Sequence, residues 1–218
     1  MSTDARILVV NPNSNEAVTA GLAEALAGYV LPGGPRIDCV TLREGPFNIE
    51  TQADIESVVL PLARLVAHEK PTATVIACFS DPGVQGCREA TRGPVFGMRE
   101  AGILAALARA DRFGIIAVQT RSIRRHLRAV REIGVTDRLA GDRALEITVA
   151  DAAADDRAFA RLVEVGRTLR DIDGAEALVL GCAGMARHRA PLEAELGVPI
   201  IEPVQAAVGM ALGAILAR

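Results

Sequence analysis

Cys78 and Cys182 stand at matching places in the two halves of the chain. Cys78 follows the apolar run Val75-Ile76-Ala77 and precedes Phe79-Ser80-Asp81-Pro82-Gly83. Cys182 follows Leu178-Val179-Leu180-Gly181 and precedes Ala183-Gly184-Met185. Each reads as the last residue of a buried strand, just before a turn into a helix. A thiol at a helix N-terminus is favoured as thiolate by the macrodipole. Two such thiols on opposite sides of one carbon suit a reaction that takes a proton from one face and returns one to the other. Asn11-Pro12-Asn13-Ser14 follows the first strand, and Val118-Gln119-Thr120 occupies the equivalent place in the second half. Ligands of open α/β sheets bind beyond the carboxyl ends of strands. Asn11 suits either a hydrogen bond to a substrate amide or carbonyl, or a turn.

The remaining reactive side chains read as structural. Cys39 alternates within a strand and Cys87 falls inside a helix, so both are expected in cores. His68, His126 and His188 have charged neighbours and no zinc spacing, and are expected at the surface. Arg121, Arg124, Arg125, Arg128 and Arg131 line one face of a helix, opposite Ile123, Leu127, Val130 and Ile133. That face reads as solvated or as a subunit contact. The cysteines form no CxxC pair, and no Gly-rich phosphate loop is present. The expectation is therefore chemistry with no metal and no cofactor.

The elements that must position the thiols alternate between strand and helix. Strands are predicted at Ile7–Val10, Ile37–Leu42, the run before Cys78, Val95-Phe96, Phe113–Val118, Leu145–Val149, Ala177–Gly181 and Pro199-Ile200-Ile201. Asn13 with Glu16 signals a helix start, and that helix runs to about Tyr29. Thr51 caps a helix running to about His68. Asp81 and Pro82 read as the N-cap and first residue of the next helix. Further helices are expected at Glu100–Ala110, from about Ser122, at Asp156–Arg170, near Arg187–Leu196 and at the C-terminus. Gly45-Pro46-Phe47-Asn48 is a loop near the mouth of the sheet. This alternation predicts parallel sheets covered on both faces.

The halves look duplicated. Cys182 lies 104 positions after Cys78, Pro199 lies 105 after Pro94, and the strand Gly114–Ala117 lies 107 after Ile7–Val10. A period this long fits two small α/β units, not a solenoid.

Composition narrows the function classes. Of the 218 residues, 50% are hydrophobic but only 3% are aromatic, with no Trp, so the cores are aliphatic. A net charge of −3 and few stacking rings argue against nucleic-acid binding. Residues 1–6 lack a signal-peptide apolar region, and the longest apolar run, 206–217, is too short to span a bilayer. The expected setting is a cytoplasmic enzyme with a small-molecule substrate and no membrane partner, assembled as a homo-oligomer.

The segments Ile7-Leu8-Val9-Val10-Asn11-Pro12-Asn13-Ser14, Ile76-Ala77-Cys78-Phe79-Ser80-Asp81-Pro82-Gly83, Gly93-Pro94-Val95-Phe96-Gly97-Met98 and Leu180-Gly181-Cys182-Ala183-Gly184-Met185 resemble the aspartate/glutamate/hydantoin racemase superfamily. The likeness is to its hydantoin and allantoin racemase branch. It implies two pseudo-symmetric α/β domains, 1–97 with 205–218 and 98–204, with the active site in the cleft between them. The last helix would pack back on the first domain. The likeness implies catalytic Cys78 and Cys182, with Asn11, Phe47, Phe79, Ser80, Val118, Gln119, Ala183 and Gly184 lining the substrate. It implies cofactor-independent racemisation of a 5-substituted hydantoin or allantoin. The alternatives are an aspartate- or glutamate-type racemase, a diacid isomerase or decarboxylase on the same scaffold and, from a different class, a non-catalytic small-molecule binding protein. Ala117-Val118 departs from the branch, which often carries paired Thr there. Ser80 replaces a frequent Asp or Gly, and Phe47 a smaller residue.

Overall fold

Residues 5–147 and 156–217 are described by the computed structural model. The chain divides into two compact units, Met1–Ala101 with Val204–Arg218, and Gly102–Pro203.

The first unit holds β1 (Arg6–Asn11), α1 (Glu16–Leu26), β2 (Arg36–Thr41), α2 (Gln52–Ser57), α3 (Val59–Glu69), β3 (Ala73–Ile76), α4 (Val84–Ala90) and β4 (Val95–Gly97). The helix α5 (Met98–Leu107) carries the chain across the boundary into the second unit. The four strands form a parallel sheet in the order β2-β1-β3-β4. Ile7 to Val10 in the inner strand β1 are fully buried, as a strand covered on both faces must be. On one face Leu8, Val10 and Ile76 pack with Leu62 and Val66 of α3 and Val84 of α4.

The second unit repeats this plan. It holds β5 (Phe113–Ala117), α6 (Thr120–Glu132), β6 (Leu139–Ala144), α7 (Asp156–Asp171), β7 (Ala177–Leu180), a 3-10 turn (Ala183–His188), α8 (Arg189–Leu196) and β8 (Ile200–Ile201). Its parallel sheet runs β6-β5-β7-β8, the same order as the first. Ile116, Leu178 and Leu180 pack with Leu162 and Leu169 of α7 and Leu192 and Leu196 of α8. The last helix, α9 (Pro203–Leu216), belongs almost entirely to the first unit. There the Gln205 side-chain amide donates to the Ala25 carbonyl at 2.9 Å.

Local chemistry moved several boundaries. Asn15 caps α1, accepting from the Ala17 N–H, whereas Asn13 is buried in the preceding turn. Thr51 forms the expected cap, in a capping box with Asp54. Its helix stops at Ser57 and restarts at Val59, because Pro61 has no N–H for the carbonyl four residues back. The predicted strand Leu145–Val149 is displaced. The strand is Leu139–Ala144, half-buried along its whole length at the sheet edge, and so it lacks the apolar run of an inner strand. Leu145 and Glu146 only extend its pairing, donating to the Ala117 and Val118 carbonyls at 2.9 Å each. Glu146 then turns the chain at φ 57°. Residues 148–149 of that expected strand lie outside the described residues.

Candidate active site

In the first unit the site residues gather at the carboxyl ends of the paired strands β1 and β3. Just past β3, the Ala77 N–H donates to the Val10 carbonyl at 2.8 Å, and Cys78 follows two residues beyond the strand end. Cys78 is half-buried. It does not sit at a helix N-terminus as expected, because α4 begins only at Val84. A turn intervenes, closed by the Asp81 N–H donating to the Cys78 carbonyl at 2.9 Å. Asp81 is not the cap of α4 either. It adopts φ 49°, and Gly83 at φ 64° takes the cap position. The Asp81 carboxylate turns instead to α5, accepting from the Arg99 N–H at 3.0 Å and the Glu100 N–H at 2.9 Å. Burial pushes this carboxyl up to about 6, against the opposing pull of the Arg99 guanidinium and the two N–H donors.

Asn11, the last residue of β1, is fully buried. Its amide nitrogen is shared among Asn13 Oδ1 at 2.9 Å, the Asn15 carbonyl at 3.1 Å and Thr19 Oγ1 at 3.1 Å. Its Oδ1 accepts from the Asn13 N–H. Of the two readings open for Asn11, its contacts are those of the turn. The loop after β2 joins this turn through the Ser14 N–H and the Pro46 carbonyl, while Phe47 beside it is 61% exposed. Phe79 is buried and Ser80 half-buried.

The second unit builds the same corner. Past β7, the Gly181 N–H donates to the Ile116 carbonyl at 2.9 Å, and Cys182 again follows two residues beyond the strand end. Only glycine fits at 181, since a Cβ there would lie 2.5 Å from the Ile116 oxygen. Cys182 packs half-buried against the core and caps the 3-10 turn, its carbonyl accepting from the Met185 N–H at 3.1 Å. Ala183 is buried and Gly184 half-buried. At the adjacent end of β5, Val118 is buried and the Gln119 side chain donates to the Ile147 carbonyl at 3.4 Å. Glu146 accepts from both the N–H and the hydroxyl of Thr120, and so caps α6.

Sequence reasoning misplaced two histidines. His126 is 3% exposed and bonded through Nδ1 to Asp142 Oδ2 at 2.8 Å. His188 is 5% exposed and stacks on Phe159. Only His68 is at the surface. Their charged sequence neighbours concealed burial by elements distant in the chain. Burial pushes the thiols of Cys39 and Cys87 up to about 11, with Asp38 adding to the effect at Cys39. Both are poor bases at neutral pH. Glu202, buried at the end of β8, carried no sequence signal. Among the described residues no group of three His, Cys, Asp or Glu side chains is arranged to hold a metal ion. No helix among them is long and apolar enough to cross a membrane.

The family described as Asp/Glu/Hydantoin racemase matches residues 7–211. The chain is 39% identical over 212 residues to a hydantoin racemase of Paenarthrobacter aurescens, covering 94% of this chain and 89% of that one. It is 35% identical over 211 residues to a hydantoin racemase of Pseudomonas sp. (strain NS671), covering 94% and 84%. Among solved structures, an allantoin racemase from Klebsiella pneumoniae matches with a TM-score of 0.93 at 30% identity, covering 98% of this chain and 89% of that one.

Proposed function

Given that the chain belongs to the Asp/Glu/hydantoin racemase family, and so is a racemase of the hydantoin and allantoin racemase kind, we propose that it works through two cysteines and no cofactor. Its substrate is a 5-substituted hydantoin or allantoin, with the labile hydrogen on a carbon alpha to a carbonyl. One observation carries this reading. Cys78 and Cys182 occupy equivalent corners, each two residues past the strand that follows the inner strand in sheets of identical order. Each is preceded by an N–H bonded to the neighbouring inner strand.

One cysteine, as thiolate, takes the proton, so that an S–H bond forms as the C–H bond breaks. The electron pair moves into the carbonyl to give an enolate. The other cysteine, as thiol, delivers its proton to the opposite face and becomes the thiolate for the reverse direction. An ordinary thiol near pKa 8.5 is only about 3% ionised at pH 7, so the local environment must favour the thiolate. Backbone N–H groups following the cysteines, at Phe79, Ser80, Ala183 and Gly184, are the candidate donors to the enolate oxygen. Positioned acid–base groups contribute roughly 10²- to 10⁴-fold each.

Single variants in heavy water test the assignment. Cys78→Ser and Cys182→Ser should each lose nearly all racemisation, because either direction needs both groups. Each retains one thiol that can exchange with solvent and return a deuteron to the same face. One variant should therefore wash deuterium into the R form and the other into the S form, both with retained configuration. Near wild-type racemisation by either variant, or exchange of the same enantiomer by both, would overturn the two-cysteine reading. A polarimetric panel of hydantoins, allantoin, aspartate and glutamate decides the substrate class. Turnover of aspartate or glutamate alone would refute the hydantoin assignment.

A further inference from the structure

We propose that Asp81 is a positioning residue for the Cys78 thiol, tying the turn that carries Cys78 to the start of α5. The inference rests on the reading of Cys78 as a proton-transfer group. Such a group must be held closely, since a misplacement of about 1 Å can cost about 10²-fold in rate. Yet Cys78 lies on neither strand nor helix. Its turn contains Asp81 at φ 49° and Gly83 at φ 64°. The left-handed region is unfavourable for a side-chain-bearing residue and persists where surrounding contacts impose it.

Here those contacts come from α5. The Arg99 and Glu100 N–H groups are the second and third of that helix and have no acceptor within it. A helix usually satisfies such donors with the side chain of the residue just before it. That residue is Gly97, which has none. The Asp81 carboxylate fills the vacant role from far upstream, one oxygen on each N–H. It also fills the space, because a Cβ on Gly97 would lie 2.3 Å from Asp81 Cγ. The Arg99 side chain adds a second strap, with Nη1 donating to the Ser80 carbonyl at 3.2 Å and Nε 3.7 Å from Asp81 Oδ2. The Glu100 carboxylate is held by Arg88 at 2.7 Å. Two consecutive positions of the thiol-bearing turn, Ser80 and Asp81, are thus fixed by a helix that follows it in the chain only after β4, and the Asp81 N–H in turn holds the Cys78 carbonyl. Burial pushes the carboxyl up to about 6, and at neutral pH it is mainly ionised, the form that accepts from both donors.

Two substitutions break the tether from opposite sides. Asp81→Asn turns an amide N–H₂ toward one of the two donors, and Gly97→Ala drives the carboxylate away while leaving Asp81 in place. Each should lower kcat about 10- to 100-fold with KM changed less than about threefold. Each should also change the rate of Cys78 alkylation by iodoacetamide, read by peptide mass spectrometry, by at least about threefold, with Cys182 in the same sample unchanged. Folded variants with kcat within about twofold of wild type would overturn the proposal. So would equal changes at Cys78 and Cys182, which mark a general loosening of the fold. Wild-type protein supplies a test that needs no variant. The Arg99 and Glu100 amide proton shifts should titrate together with a midpoint near 6. If both stay flat from about pH 8 down to about 2, through the ordinary carboxyl range as well, no carboxylate titrates against these N–H groups and the tether does not exist. Racemisation surviving in Cys78→Ser would instead sink the reading of Cys78 as a base, with the amide titration still reporting on the tether.

Discussion

Burying a carboxylate at Asp81 links stability to pH. Its carboxyl is raised from 3.8 to about 6 by burial, so the folded state holds this proton more tightly than the unfolded chain does. The sign follows from that difference. The favourable contribution is complete below the unfolded value near 4 and is lost as pH rises through about 6. Urea unfolding should show wild type gaining stability relative to Asp81→Asn as pH falls from about 7 to 4, by up to about 3 kcal/mol at 1.4 kcal/mol per unit. A constant difference across that range would refute the raised carboxyl pKa. The sequence marked Asp81 as the cap of the helix after Pro82, and the structure overturns that, since Gly83 takes that cap and Asp81 serves a later helix. The helix it caps lies beyond β4, and local spacing carries no sign of that.

At the scale of an element, α6 shows how an amphipathic reading can be right in kind and wrong in detail. Its arginine-lined face is largely exposed, as expected. The buried face is centred on His126, Ala129 and Val130, while Ile133 is exposed. The helix is anchored to the edge strand β6 by the His126–Asp142 bond, with both side chains nearly inaccessible. His126→Leu leaves Asp142 buried without this partner and should cost roughly 3 kcal/mol in chemical denaturation. Adding Asp142→Leu should restore part of that loss. A single variant as stable as wild type would show that the bond does not hold α6 in place. The same contact explains why β6 was missed, since its burial is supplied by helix side chains and not by an apolar run of its own.

For the molecule as a whole, the repeated strand order β2-β1-β3-β4 and β6-β5-β7-β8 gives each thiol an equivalent support. The parallel sheets place both corners at carboxyl strand ends, where backbone N–H groups and side chains are available to a ligand. The proposed chemistry draws its acid and base from protein thiols alone. Racemisation should therefore persist at an unchanged rate after exhaustive dialysis against EDTA, with no added nucleotide or pyridoxal phosphate. Loss of activity that a divalent metal restores would refute the thiol-only mechanism.

Apolar runs, their Pro and Gly punctuation and the recurrence of Cys-bearing turns are local properties of the chain. They were enough to place seven of the eight strands among the described residues within a few residues, the order of helices, the duplicated plan and both candidate thiols. Strand formation followed burial on both faces, which an aliphatic run already encodes. Tertiary structure alone decided the partners of polar groups. Asn13 lost the cap of α1 to Asn15, Asp81 reached past β4 to α5, and His126 was buried against Asp142. A buried donor or acceptor takes whichever partner the fold brings near, however distant in sequence, because leaving it unpaired costs more than the choice of partner.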